Sequence, residues 1–245
     1  MSAICGIVNF DGAPVNGDLL RKMAEAAALR GPDGVDCWIK GNAGLAYLAM
    51  HTTAESVGQP QPVASTRSDV VLAADARIDN RPDLIRTLTA KGLVQTKDAT
   101  DAELIRAAYE AWGEGCTEHI IGDFAFAVWD ARAERLFCVR DPIGMRPLFY
   151  HRQGSTLFFA STIASIVAAL GQRPPLNELL MVDFLCWRFE RWVHETIYEG
   201  ILRVPASCLL RAGPSGDQVR RYWSFGVQPR PSYKKDAEYV EHFRD

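Results

Sequence analysis

The chain has 245 residues, 48% of them hydrophobic and 23% charged, with a formal net charge of −3. That length suits one large domain or two small ones at roughly 150 residues each, and it can bury roughly 70–75% of the unfolded surface, enough for a self-sufficient core. The slightly acidic balance excludes a broadly basic nucleic-acid binder, and the sequence holds no apolar run of the roughly 18–20 residues that a membrane helix needs.

The first residues, Met1 to Cys5, carry no charge ahead of a short apolar run, so no secretory signal is expected. Residues 4–9 are apolar and partly β-branched, which predicts a buried strand. Leu19, Leu20, Met23, Ala26 and Ala27 recur at helical spacing within 18–29, and Gly31-Pro32-Asp33-Gly34 then breaks the chain. Strands are predicted near 35–39, 43–50 and 69–74, with a polar loop over 52–68. Pro82 opens a helix to about Lys91. Thr100 and Glu103 form a capping box for a helix carrying Leu104, Ile105, Ala108 and Trp112 on one face.

Four strand-like runs follow, at 124–129, 135–139, 148–151 and 157–160, and their spacing suggests one antiparallel meander. Helical patterns return at 162–170 and 177–187, and two short strands are predicted at 207–210 and 218–223. Tyr233 to Asp245 reads as the start of an amphipathic helix without a closing cap, as if continued in a longer chain; a frayed tail is the alternative. The element order points to α+β layers rather than a parallel βαβ sheet. Six cysteines are scattered with no Cys-x-x-Cys pair, the usage of reduced thiols in a cytoplasmic protein. The five histidines are isolated and give no zinc pattern. There is no Gly-rich phosphate loop.

Several segments together resemble the N-terminal glutaminase domain of the asparagine synthetase family. They are Cys5-Gly6-Ile7-Val8, Arg30-Gly31-Pro32-Asp33, Thr100-Asp101, Gly122 to Ala127 with Trp129-Asp130, Arg140 to Tyr150, Phe159-Ala160-Ser161, Tyr198 to Ile201, and Arg221-Tyr222-Trp223. The resemblance covers nearly the whole chain in order. It implies a class II glutamine amidotransferase with the N-terminal-nucleophile hydrolase fold, a four-layer αββα sandwich of two mainly antiparallel sheets. It also implies a division into a glutaminase-like domain over 1–230 and, over 231–245, the start of an ATP-pyrophosphatase synthetase domain. No cofactor is implied for the first domain; ATP and magnesium belong to the second.

The resemblance further assigns roles to residues. In the family a cysteine directly after the initiator methionine becomes the N-terminal nucleophile, and its α-amine, with a pKa near 7.7–8.0, is the base. Cys5 can take that role only if Met1–Ile4 is removed; otherwise it is a small buried strand residue. Ala49 stands where the family has the arginine that holds glutamine's α-carboxylate, with His51 nearby as a weaker substitute. Asp75 replaces the oxyanion asparagine, Ala76 still offers a backbone N–H, and Arg77 replaces a substrate-holding glutamate. Asp101 matches the acid that binds the α-ammonium, although an acid in a first helical turn also favours the helix dipole. Arg30 and Asp33 are expected to be structural neighbours of the site, and Arg140-Asp141 with Arg146-Pro147 to brace a turn.

The altered groups suggest a degenerate glutaminase in an ATP-dependent amide-forming enzyme, of the character of β-lactam synthetases and lasso-peptide cyclases. The partners would then be the synthetase domain and a peptide or amine substrate, with a homodimer also compatible. The alternative is an active, N-terminally processed glutaminase that binds glutamine and supplies ammonia. A non-enzymatic scaffold is the third reading.

Overall fold

The computed structural model describes residues 1–52, 57, 60–96, 98–187, 193–226, 232–233 and 235–244. Two six-stranded antiparallel sheets lie face to face. The first holds β1 (Ala3–Asn9), β2 (Gly34–Lys40), β3 (Ala43–Ala49), β8 (Phe149–Gln153), β9 (Thr156–Ala160) and β10 (Leu202–Arg203), in the order β10-β8-β9-β1-β3-β2. The second holds β4 (Val63–Ala64), β5 (Val70–Ile78), β6 (Gly122–Asp130), β7 (Arg135–Arg140), β11 (Cys208–Gly213) and β12 (Gly216–Arg221), in the order β12-β11-β7-β6-β5-β4.

Helices α1 (Gly17–Glu25) and α4 (Ile163–Leu170) cover the first sheet, and α2 (Arg81–Ala90) and α3 (Asp101–Trp112) cover the second. Three apolar layers result. One lies under α1 and α4 around Leu20, Met23 and Ile166; one lies between the sheets around Ile4, Trp129 and Phe159; one lies under α2 and α3 around Leu104, Phe124 and Phe126. This is the αββα sandwich that the resemblance implied.

Local chemistry accounts for the helix starts. The Asn16 side chain accepts from Asp18 N at 2.9 Å and begins α1. The capping box of α3 forms in both directions, with Thr100 N to Glu103 Oε2 at 2.8 Å and Glu103 N to Thr100 Oγ1 at 3.0 Å. Gly171, at φ 69°, ends α4 in the left-handed region. Helix α5 (Glu178–Leu185) and helix α6 (Asp236–Arg244) complete the described α-helices.

The single meander expected over 124–160 is not formed. β6 pairs with β7 in one sheet, and β8 pairs with β9 in the other. The reason lies in the turn after β7. Buried Asp141 accepts from the backbone N–H groups of Ile143, Gly144, Met145 and Arg146 at 2.5–3.1 Å. Arg140 donates to the carbonyls of Gly144, Arg146 and Val204 at 2.6–3.0 Å. Gly144, at φ 77°, supplies the conformation that this turn requires. With all these backbone groups satisfied inside the turn, the chain crosses to the other sheet instead of reversing beside β7. The polar loop over 52–68 also differs, since it contributes the short edge strand β4.

Candidate active site

Strand parity decides which side chains share a space. On β1, Ile4 and Val8 enter the layer between the sheets, while Ala3, Cys5 and Ile7 enter the layer under α1 and α4. On β5, Val71 and Ala73 face the space between the sheets, and Asp75 continues that row. Ala49 and Tyr47 of β3 face it too. Cys5 therefore sits on the opposite side of its sheet from Asp75. Its sulfur is fully buried, and burial, reinforced by Cys37, pushes the thiol's pKa far above its ordinary range. A thiol so placed stays protonated and is a poor nucleophile. Trimming Met1–Ile4 would free its nitrogen but would not turn its side chain to the other face.

The residue that reaches the space between the sheets from the head of β1 is Ser2. Its hydroxyl lies 3.0 Å from the Tyr47 hydroxyl and accepts from Met50 N–H at 3.1 Å. The sequence contained the signal, because Ser2 directly follows Met1, the position at which the resembled family carries its nucleophile. The run Ala3–Val8 hides the register: a central strand covered on both faces is apolar at every position and shows no alternation.

Asp75 is 4% exposed and flanked by two arginines. Arg146 Nη1 lies 3.6 Å from its Oδ1 and Arg30 Nη2 3.8 Å from its Oδ2, ion-pair distances beyond direct hydrogen bonding. Asp75 Oδ2, Arg30 Nε and Nη2, and Arg146 Nε are buried without a hydrogen-bond partner. Burial raises the Asp75 carboxyl above its ordinary value, against the opposing pull of Arg146, Arg30 and the N-terminal ammonium. Arg146 is thus not the turn brace that the sequence suggested. Arg140 and Asp141 hold the turn, and Arg146 extends from it to Asp75.

Arg30 is held by the turn that follows it. A Cβ on Gly31 would lie 2.4 Å from Leu48 Cβ, so only glycine lets this turn approach β3. Asp33 accepts from His51 N–H at 2.7 Å, and Asp33 N–H donates to the Ala49 carbonyl at 3.0 Å. Ala49 is buried and faces the site with an uncharged methyl group.

Beyond Leu72, where its pairing with β4 stops, the free edge of β5 carries the remaining groups. Ala74 N–H donates to Gln61 Oε1 at 2.8 Å, and Ile78 N–H donates to Asp101 Oδ2 at 3.1 Å. Ala76 lies between them, and its N–H points to the same edge by the two-residue period. Asp101 is engaged twice, since its other oxygen is paired with Arg81. Arg77 turns outward to Asp79 at 3.0 Å. The structure therefore gathers Ser2, Tyr47, Ala49, Asp75, Arg30 and Arg146, places Ala76 and Asp101 on the adjoining edge, and leaves Cys5 and Arg77 elsewhere. A surface cavity of about 630 Å³ lies away from this cluster beside Val70 and Tyr109, and Glu114 within it is paired to Arg135 and Arg211. Among the described residues no three His, Cys, Asp or Glu side chains cluster as metal ligands, and no helix is long and apolar enough to cross a membrane.

The glutamine amidotransferase domain family matches residues 1–223. The chain belongs to that family. The amidotransferase domain is similar to asparagine synthetase [glutamine-hydrolyzing] 3 of Bacillus subtilis, 28% identical over 227 residues, which are 91% of this chain and 37% of that protein. A second B. subtilis asparagine synthetase is 32% identical over 170 residues, or 68% of this chain and 22% of its own length. A putative asparagine synthetase of Methanocaldococcus jannaschii is 28% identical over 251 residues, covering 96% of this chain and 48% of the relative. The amidotransferase domain thus spans less than half the length of these relatives. The solved glutamine phosphoribosylpyrophosphate amidotransferase of B. subtilis shares the fold, with a TM-score of 0.64 over 92% of this chain and 50% of that one, at 15% identity.

Proposed function

We propose that this amidotransferase domain belongs to an ATP-dependent amide-forming enzyme that takes its amine from a second substrate, not as ammonia from glutamine. The observation that carries this reading is Asp75, buried between Arg30 and Arg146. Acyl transfer develops negative charge on the carbonyl oxygen, and a neutral donor amide stabilises it there. A carboxylate offers no donor and repels that charge when ionised. Losing one such donor costs about 2.7–4 kcal/mol of transition-state stabilisation. Ala49 removes the carboxylate clamp, and Arg81 already occupies Asp101.

In this reading the domain packs on an ATP- and magnesium-dependent synthetase domain in the cytoplasm. That domain activates a carboxylate, and an amine within the substrate, such as a peptide amine, attacks it. The test is glutamate release from glutamine by the Met1-free protein. Release no faster than in a Ser2→Ala variant supports the proposal; faster release overturns it.

A second reading is favoured by Ser2 itself. After loss of Met1 its α-amine and hydroxyl form a nucleophile and base on one residue, facing the site. Faster glutamate release by wild type than by Ser2→Ala would establish that reading instead.

A further inference from the structure

Strand β2 is an edge of the first sheet, and six of its seven residues are exposed. Its register with β3 runs unbroken from Gly34 opposite Ala49 to Lys40 opposite Ala43, with no bulge and no proline. The direction of its free backbone groups follows from β1. Asn9 N–H donates to the Asn42 carbonyl at 2.8 Å and continues the β1–β3 ladder, so Gly44, Ala46 and Leu48 give their backbone groups to β1. The alternate residues of β3 therefore bond to Gly34, Asp36, Trp38 and Lys40. The N–H and C=O groups of Val35, Cys37 and Ile39 face outward, and among the described residues no strand meets them. A free edge of this length is a template for another strand. The other edges are blunted. β4 and β10 hold two residues each, and on β12 the Asp217 carboxylate is already clasped by Arg152 at 2.7 Å.

We propose that β2 pairs antiparallel with β2 of a second copy, across a two-fold axis at Trp38, to form one sheet of twelve strands, six from each copy. Charge complementarity selects this occupant and this register. Outward-facing residues oppose one another across a two-fold axis only when the axis passes through a residue. An axis at Asp36 would set two carboxylates face to face. At Cys37 or Ile39 neither charge of β2 meets its opposite. At Trp38, Asp36 of each copy lies opposite Lys40 of the other, and the two indoles meet on the axis. Cys37 and Ile39 then exchange backbone hydrogen bonds with Ile39 and Cys37 of the second copy. Both charges are available for this pairing. Among the described residues Asp36 makes no ion pair, and Lys40, 74% exposed, has only a 4.0 Å contact with the exposed Asp69. Val35 and Ile39 add exposed apolar side chains on the other face of the strand.

Charge reversal tests this on the 245-residue chain. Light scattering is expected to give a mass of about twice 27.2 kDa. Asp36→Lys sets two pairs of lysines face to face and is expected to weaken dimerisation at least ~10-fold. Lys40→Asp opposes two pairs of acids and is expected to do the same. The double variant Asp36→Lys with Lys40→Asp restores both opposite-charge pairs and is expected to return to within ~3-fold of wild type. All the changed side chains are exposed, and matching urea midpoints confirm that each variant folds as wild type does. A wild-type chain that is monomeric at every concentration tested overturns the proposal. A dimer that neither single variant weakens uses another surface and overturns it too. Weakened single variants that the double variant fails to rescue overturn the pairing of Asp36 with Lys40.

Discussion

Arg146 reaches Asp75 across 3.6 Å from a turn that belongs to neither sheet's hairpins. One arginine is thereby committed to an acid at the point where, in the function proposed above, glutamine hydrolysis would need a donor. Arg30 meets the same carboxylate from the opposite oxygen. The two cations leave Asp75 neither directly hydrogen-bonded nor free.

If the proposed function holds, building a glutaminase site here should require several changes at once. Ser2→Cys, Ala49→Arg and Asp75→Asn, combined in the Met1-free protein, are expected to release glutamate at least ~10²-fold faster than wild type, the rate factor of one oxyanion donor. Each single change is expected to gain little, because groups that act as a unit are not additive. Glutamate production is the readout, with mass spectrometry confirming the N-terminus. A triple variant as slow as wild type would show that the space itself no longer admits glutamine.

Asp75 should leave a signature in the dependence of stability on pH. Its folded-state pKa is raised, so the native state binds more protons than the unfolded state once the pH passes the ordinary value of 3.8. Stability then falls as pH rises through that window and levels off above the folded pKa. Asp75→Asn lacks this term. Urea midpoints from about pH 4 to about pH 7 should diverge, with wild type losing ground to the variant as pH rises. Parallel curves would mean that Arg30 and Arg146 fully offset the burial.

Cys5 should behave as a core residue. An alkylating reagent on the native protein is expected to label the exposed Cys37 and Cys186 and to spare Cys5. Cys5→Ser is expected to cost about 1–3 kcal/mol of stability, because a hydroxyl would be buried among apolar side chains. Rapid native-state labelling of Cys5 would contradict the burial on which this argument depends.

Asp141 should matter more than any charge in the candidate site. Its carboxylate accepts four backbone N–H groups, and Asp141→Ala would leave them without their partner. The expected loss exceeds about 3 kcal/mol in urea denaturation. A loss below about 1 kcal/mol would mean that water replaces the carboxylate in that turn.

Much of the fold was legible because helices and single strands declare themselves locally. Thr100 and Glu103 mark the start of α3 without any tertiary information. The layer assignment of Cys5 was not legible, because Ala3 to Val8 is apolar throughout and parity disappears where both faces are covered. The split of the expected meander was hidden for a different reason. Strands of β7 and β8 look alike in sequence, and only the network around Asp141 says that the chain leaves the sheet. Arg146 was misplaced by the same reasoning, since its partner Asp75 lies 71 positions earlier in the chain.

The pairing of β1 has a bearing on how the protein is made. β1 sits mid-sheet, with β3 on one side and β9 on the other, and Ile4 N–H donates to Ser161 Oγ at 3.0 Å. During synthesis β1 waits for residues about 150 places later before its second edge closes. At about 5–20 residues per second that interval is on the order of ten seconds. Throughout it β1 lies at the rim of an unfinished sheet, and the backbone groups that β9 will pair are still open to water.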